Sequence, residues 1–409
     1  MARHAEPVVA IPGEVSHGVG VMTARAPVQK VCFLYIAQTH QILHSLPIAV
    51  ELARGWPQFE VHVAATAQAH LYFVEDALER LGGAPVRTRL LGPSWLRRLR
   101  VGSATMPPKG PMLVANLATL AGYDALITPE RTTAVVRRLG VSRPLLVYTQ
   151  HGAGDRGGPF EPRLRLFDLV MAAGPKQRDR MVESGLVRPE NCAMVGYPKF
   201  DIVEALSPHP ASPFPDDRPI VLYNPHFDRN LSSWPAWGHQ ILEQFARDDR
   251  FNLIFAPHLR LFDEAHPSDL RAIEDFRDHP RIHVDLGGPA TIDMTYTRLA
   301  DVYLGDASSQ IYEFLRTPKP AVFLNAHGVA WRGDESYWHW RYGPVLDQVE
   351  GVPDAVAAAQ ASHGDYLAEQ QAGFAASFDL QPQSSSLRAA QAIADRLAAR
   401  GRRSSATRP

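Results

Sequence analysis

Polar residues capable of chemistry recur in this chain at one kind of position, directly after a short apolar run. Gln150-His151-Gly152 follows residues 144–149 (PLLVYT), Asn224-Pro225-His226 follows 220–223, Pro257-His258 follows 253–256, and Asp306-Ala307-Ser308-Ser309 follows 302–304. An imidazole with its ordinary pKa near 6.5 can take a proton from a hydroxyl nucleophile or, when charged, neutralise a phosphate. The chain has 17 histidines, so position, not residue type, singles out His151 and His258. The 306–309 turn opens a helical pattern through Ile311, Tyr312, Phe314 and Leu315, with Asp306 or Ser308 as its N-cap. Serine hydroxyls, first-turn N–H groups and the helix dipole favour an anion at such a place. Gly152 and Gly154 would let a substrate approach the backbone closely. Asp155, Lys199, Asp201 and Arg229 add charge near the same turns.

Positioning these groups requires strands that end together. Residues 31–37 (VCFLYIA), 59–65 (FEVHVAA), 86–91, 123–128, 144–149, 169–173 and 193–195 read as strands, with helices at 42–52, 73–81 and 176–184 between them. A second series begins at 220 and continues at 253–256, 283–285, 302–304 and 321–324, with a helix at 240–245. Alternating strands and helices indicate an α/β chain with two open parallel sheets facing a central cleft, where ligands lie at the carboxyl ends of the strands. The expected organisation is a flexible arm at 1–28, a first Rossmann-like domain at 29–207 and a proline-dense linker at 208–219. A second such domain covers 220–380, followed at 381–409 by a helix (387–399) and a disordered basic tail.

Size and composition narrow the function. A chain of 409 residues is long enough for two cores. A net charge of −1 argues against a nucleic-acid partner. Two cysteines, Cys32 and Cys192, supply neither a disulfide framework nor a zinc site and fit a reducing cytoplasm. The first 27 residues lack the apolar core of a signal peptide, and no run reaches the ~20 apolar residues of a membrane span. The stretch 95–101 (WLRRLRV), with Trp95, Arg97, Arg98 and Arg100, has the composition of a peripheral membrane contact, which would place the protein at the inner face of the membrane.

The blocks Gln150-His151-Gly152, Gly196-Tyr197-Pro198-Lys199-Phe200-Asp201, Leu222-Tyr223-Asn224-Pro225 and 300–309 (ADVYLGDASS), with 319–324 (KPAVFL) and 337–347, resemble in kind and order those of the CDP-glycerol glycerophosphotransferases, which build teichoic acids and related capsular polymers. The resemblance spans residues 145–350. It implies a GT-B fold with the donor in the second domain, His151 as base for the acceptor hydroxyl, and His258 as the second essential histidine. Asp306, Ser308 and Ser309 would bind the donor phosphate, and Gly152, Arg156, Lys199, Asn224 and Arg229 would line the substrate site. The implied reaction transfers glycerophosphate from CDP-glycerol to a hydroxyl of a glycolipid or polysaccharide acceptor and releases CMP. No tightly bound cofactor is implied, although Mg²⁺ could accompany the diphosphate.

Several positions depart from the family pattern. Ala153-Gly154-Asp155-Arg156 stands where the family has Thr-Pro and a lysine, Ala307 replaces a tyrosine, Leu259 replaces a proline, and Arg229 falls one place late. These differences admit another CDP-linked polyol, or a nucleotide sugar handled by a glycosyltransferase or a UDP-N-acetylglucosamine 2-epimerase-like enzyme. Against the epimerase, residues 37–40 (AQTH) lack its Gly-Thr-Arg-Pro-Glu opening.

Overall fold

The structure, a computed structural model, describes residues 28–101, 106–155, 160–262 and 267–406. The arm expected at 1–28 lies almost wholly outside the described residues. The first sheet is built from β1 (Gln29–Tyr35), β2 (Phe59–Ala65), β3 (Val86–Leu90), β4 (Ala125–Thr128), β5 (Leu145–Tyr148), β6 (Leu169–Ala172) and β7 (Cys192–Met194). All its pairings are parallel, in the order β3-β2-β1-β4-β5-β6-β7. The second contains β8 (Ile220–Asn224), β9 (Asn252–Phe255), β10 (Ile282–Val284), β11 (Val302–Gly305), β12 (Ala321–Leu324) and β13 (Val345–Leu346), also parallel, in the order β10-β9-β8-β11-β12-β13.

Alternation along each strand explains why both faces of these sheets are covered. In β1, Val31, Phe33 and Tyr35 enter one apolar cluster while Cys32 and Leu34 enter another on the opposite face. In β8, Val221 and Tyr223 face one core and Ile220 and Leu222 the other. Such strands read as continuous apolar runs because neither face meets water. The sheets switch direction around β1 and β8, which opens a crevice above their carboxyl ends, and the two crevices face each other.

Two local readings change. The helix expected at 42–52 is a 3₁₀ turn, Thr39–His44, followed by an α-helix, Leu46–Gly55. Pro47 sets the break, since its fixed φ and missing N–H suit the first turn of a helix and not its interior. At the other end, the helix expected at 387–399 runs from Ser385 to Ala406, so the basic segment after residue 399 is helical through that point. Its Ala389, Ala390, Ile393, Ala394 and Leu397 join the core of the first domain, against the helix Leu46–Gly55. Ser385 Oγ accepts from Tyr197 N at 2.9 Å, and Asp201 Oδ2 accepts from Ser386 N at 2.6 Å. A Cβ on Gly196 would stand 2.3 Å from Ser385 Oγ, so this close crossing excludes any side chain there. The chain therefore returns to the first domain after completing the second.

Candidate active site

Between the domains lies a cavity of about 1200 Å³, lined from both sides by the strand-end loops. From the first domain come His40 and His44 after β1, Glu130 after β4, and His151, Gly152, Gly154 and Asp155 after β5. From the second come His226 and Arg229 after β8, His258 after β9, and Ser308 and Ser309 after β11.

His151 is held by one strong constraint: its Nδ1–H donates to the Pro129 carbonyl at 2.6 Å. That bond fixes the neutral tautomer with the Nε2 lone pair available, the form a general base requires. Burial lowers its pKa, with the Pro129 bond and Glu130 opposing, so the ring is uncharged at neutral pH. His258 has the complementary arrangement. Its Nδ1 accepts from Arg260 N at 3.2 Å, which leaves the proton on Nε2 as a donor.

The two domains touch at the glycine loop. A Cβ added to Gly154 would lie 2.9 Å from Ser309 Cβ, so the loop after β5 passes the 306–309 turn at a distance only glycine permits. Gly152, with φ +150°, presents its carbonyl to Gln177 Nε2 at 2.8 Å. Ser309 is exposed to the cleft, whereas Ser308 is buried and its Oγ accepts from Gln310 N at 3.3 Å.

Three of the expected site residues have side chains bonded within the protein. Asp306 is fully buried; its Oδ1 accepts from His226 N (2.9 Å) and Ala307 N (2.6 Å), its Oδ2 from Ser233 N (2.7 Å) and Ser233 Oγ (2.9 Å). Burial raises its pKa and these donors offset part of the rise. It staples the loops after β8 and β11 together, neither oxygen caps the following helix, and the residue is not part of the cavity lining. Asn224 is likewise buried, donating from Nδ2 to the Ala256 carbonyl at 2.6 Å. Lys199 donates to both oxygens of Glu313 at 2.8 Å, and Tyr197 Oη adds a third bond to that carboxylate at 2.7 Å. This buried ion pair crosses the domain boundary.

Asp155 anchors a second crossing. It pairs with Lys176 Nζ at 2.6 Å and accepts from Tyr312 Oη and from His339 Nδ1, the latter at 3.1 Å. Burial raises the Asp155 pKa, but its partners more than reverse this and hold it below the usual carboxylate value. The other His339 nitrogen, and Trp340 Nε1, reach the Asp306 carbonyl at 3.0 and 2.9 Å. Arg156 lies outside the described residues. Arg229 reaches the rim of the cavity.

The segment 95–101 forms a short helix, Ser94–Arg98, beside the cleft mouth, where Val101 joins the lining. Trp95 is 67% exposed and Leu99 and Val101 are exposed, while Leu96 turns inward. Arg100 folds back onto the carbonyls of Arg97 and Leu99 at 2.8 and 3.0 Å. Among the described residues no helix is long and apolar enough to cross a membrane.

His226, at the strand end noted in the sequence, lines the cavity together with His40, His44, Glu130 and His339, which the sequence does not single out. The strand-end rule that selected His151 applies equally to His40 and His226. His339 has no such signal, because its place depends on packing between distant segments.

No family model matches the chain, and none of the curated proteins compared does. Similarity appears in three dimensions. The wall teichoic acid polymerase TagF, in a crystal soaked with CDPG, superposes with a TM-score of 0.60 over 90% of this chain and 88% of that one, at 11% identity. The S. aureus MnaA–UDP complex gives 0.56 at 13% identity, covering 90% of this chain and 96% of that one. UDP-GlcNAc 2-epimerase from Neisseria meningitidis bound to UDP-GlcNAc gives 0.53 at 12%, covering 90% and 99%. The chain has the GT-B fold. At these identities the likeness carries architecture alone, and the chemistry must be argued from the cleft.

Proposed function

We propose that the protein is a transferase that moves a phosphate-linked polyol from a CDP-activated donor, in the manner of a CDP-glycerol glycerophosphotransferase, to a hydroxyl of a cell-surface polysaccharide or glycolipid. The observation that carries this reading is the pairing of opposite histidine tautomers across one cleft: His151 offers a lone pair, His258 an N–H. The acceptor hydroxyl attacks the β-phosphorus, its proton passes to His151 Nε2, and the bond from that phosphorus to the bridging oxygen breaks. CMP leaves with the bridging oxygen. His258 Nε2–H and Ser309 would donate to the phosphoryl oxygens as charge develops, so positioning and preset donors supply most of the rate. The TagF likeness, with its CDPG soak, supports this choice of donor class.

Of the cleft carboxylates, Glu130, Asp155 and Glu313 are each paired with a lysine, Lys109, Lys176 and Lys199 respectively, and Asp228 accepts from Asn230 N at 3.0 Å. Among the described residues no group of three or more His, Cys, Asp and Glu side chains is placed to hold a metal ion. A Mg²⁺ ion carried by the diphosphate of the donor remains compatible. Exposed Trp95, Leu99 and Val101 at the cleft mouth, with Arg97, Arg98 and Arg100, would rest on the membrane that presents a lipid-linked acceptor. Liposome co-sedimentation unchanged by replacing the three arginines with glutamine would remove that part.

The deciding experiment is a thermal-shift panel of CDP-glycerol, CDP-ribitol, UDP-sugars and GDP-sugars, followed by CMP release with the stabilising donor. A ligand at 100 times its Kd stabilises the folded state by about 2.7 kcal/mol. Stabilisation by CDP compounds and CMP formation is expected. Stabilisation confined to UDP or GDP compounds would transfer the assignment to a GT-B glycosyltransferase or epimerase, as the UDP-bound neighbours suggest.

A further inference from the structure

One imidazole in the cleft has no part in the scheme above. His40 ends the loop after β1, and its ring meets those of His151 and His258 edge-on, with centroids 6.2 and 5.9 Å away. Its Nδ1 is buried and has no hydrogen-bond partner among the described residues. Because the ring also lines the cavity, Nε2 is the polar atom it can offer to a ligand. We propose that His40 is a third substrate-contacting imidazole, a neutral donor whose Nε2–H binds the phosphoryl group between His151 and His258.

Two arguments separate this role from acid–base work. An imidazolium would carry a second N–H at Nδ1, buried with no acceptor, and such orphaned donors are rare in folded proteins. The buried Nδ1 therefore keeps its lone pair, and the single proton resides on Nε2. Burial lowers the His40 pKa well below its ordinary value, and any positive charge on His258, His151, Lys199 or Arg260 pushes the same way. The Lys199 charge is itself paired with Glu313. A neutral donor in basic surroundings is suited to an anionic ligand.

The proposal rests on the cleft taking a phosphate-bearing donor, and its test uses inorganic pyrophosphate so that donor identity is judged separately. Calorimetric titration is run on the full chain and on His40→Gln, His40→Asn and His40→Phe, after melting curves show each variant folded. Glutamine can place its amide donor where Nε2 stands; asparagine reaches only the Nδ1 position. The expected result is a Kd within about threefold of wild type for His40→Gln and roughly tenfold or more weaker for His40→Asn and His40→Phe. The acid limb of any pH–rate profile should stay in place in His40→Gln. Equal affinity for wild type and His40→Phe, rescue by asparagine in place of glutamine, or no pyrophosphate binding to wild type at ~10 mM would each overturn it. Should the pyrophosphate pattern hold while CDP-glycerol fails to bind, the donor assignment falls and the role of His40 stands.

Discussion

Breaking the Lys199–Glu313 pair tests whether that lysine serves the fold or the substrate. Their side chains are 5% and 7% exposed, with both carboxylate oxygens bonded to the ammonium at 2.8 Å. Glu313→Gln keeps the shape and a carbonyl for Tyr197 Oη but leaves the lysine charge buried and uncompensated. Removing one partner of a buried pair costs about 3–5 kcal/mol, a large part of the 5–15 kcal/mol that holds a typical domain together. Lys199→Met should cost a similar amount, since Glu313 then keeps only the tyrosine. The double variant removes both charges and should fall within about 2 kcal/mol of wild type, giving a coupling of several kcal/mol. Urea unfolding followed by tryptophan fluorescence and by far-ultraviolet circular dichroism measures this, with coincident transitions required before free energies are extracted. Single variants within 1 kcal/mol of wild type, or a double variant as unstable as the sum of the singles, would refute the structural role. A Lys199→Met that only raised KM would restore the lysine to the substrate site.

Gly154→Ala forces a methyl group to within 2.9 Å of Ser309 Cβ and should destabilise by about 1–3 kcal/mol. Adding Ser309→Gly should recover stability but not donor affinity, and failure to recover would place the clash elsewhere. Because burial holds His151 below its ordinary pKa, kcat/KM should be flat through neutral pH and fall with a midpoint below about 6.5. His151→Gln should abolish turnover, and an acid midpoint above 7 would contradict the tautomer argument. Stability should decline as pH falls from about 7 to 5, because burial depresses His40, His44 and His70, the last to about 4. In that window the unfolded chain binds protons that the folded one refuses. Asp155, with a lowered pKa, adds loss only at more acid pH, below about 4. An unchanged urea midpoint at pH 5 would contradict this.

Much of the framework could be read from periodicity. β2 and β12 coincide with their expected runs, and the strand-end placement of His151, His258, Ser308 and Ser309 holds because parallel sheets collect their loops on one edge. The buried protein partners of Asp306, Asn224 and Lys199 are not legible in the sequence, for a common reason. A polar residue at a strand end can face the ligand or tie the loops that hold it, and only the partner decides which. Those partners lie far away in sequence: Lys199 and Glu313 are 114 residues apart, Asp155 and His339 184. The helices Val352–Ala361 and His363–Ser377 also escaped notice, since alanine-rich segments carry a weak apolar stripe.

The returning helix Ser385–Ala406 also bears on how the protein is made. Arg388 donates to the Met194 carbonyl across 194 residues of sequence, and the alanine face of the helix closes a core whose strands left the ribosome long before. During synthesis the first sheet must wait with one flank uncovered while the whole second domain emerges. The growing chain is thus exposed to aggregation at the surface around Leu46–Gly55 until the helix Ser385–Ala406 arrives. Emergence of residues 385–406, not completion of the first 200 residues, is the moment at which that half of the molecule can settle.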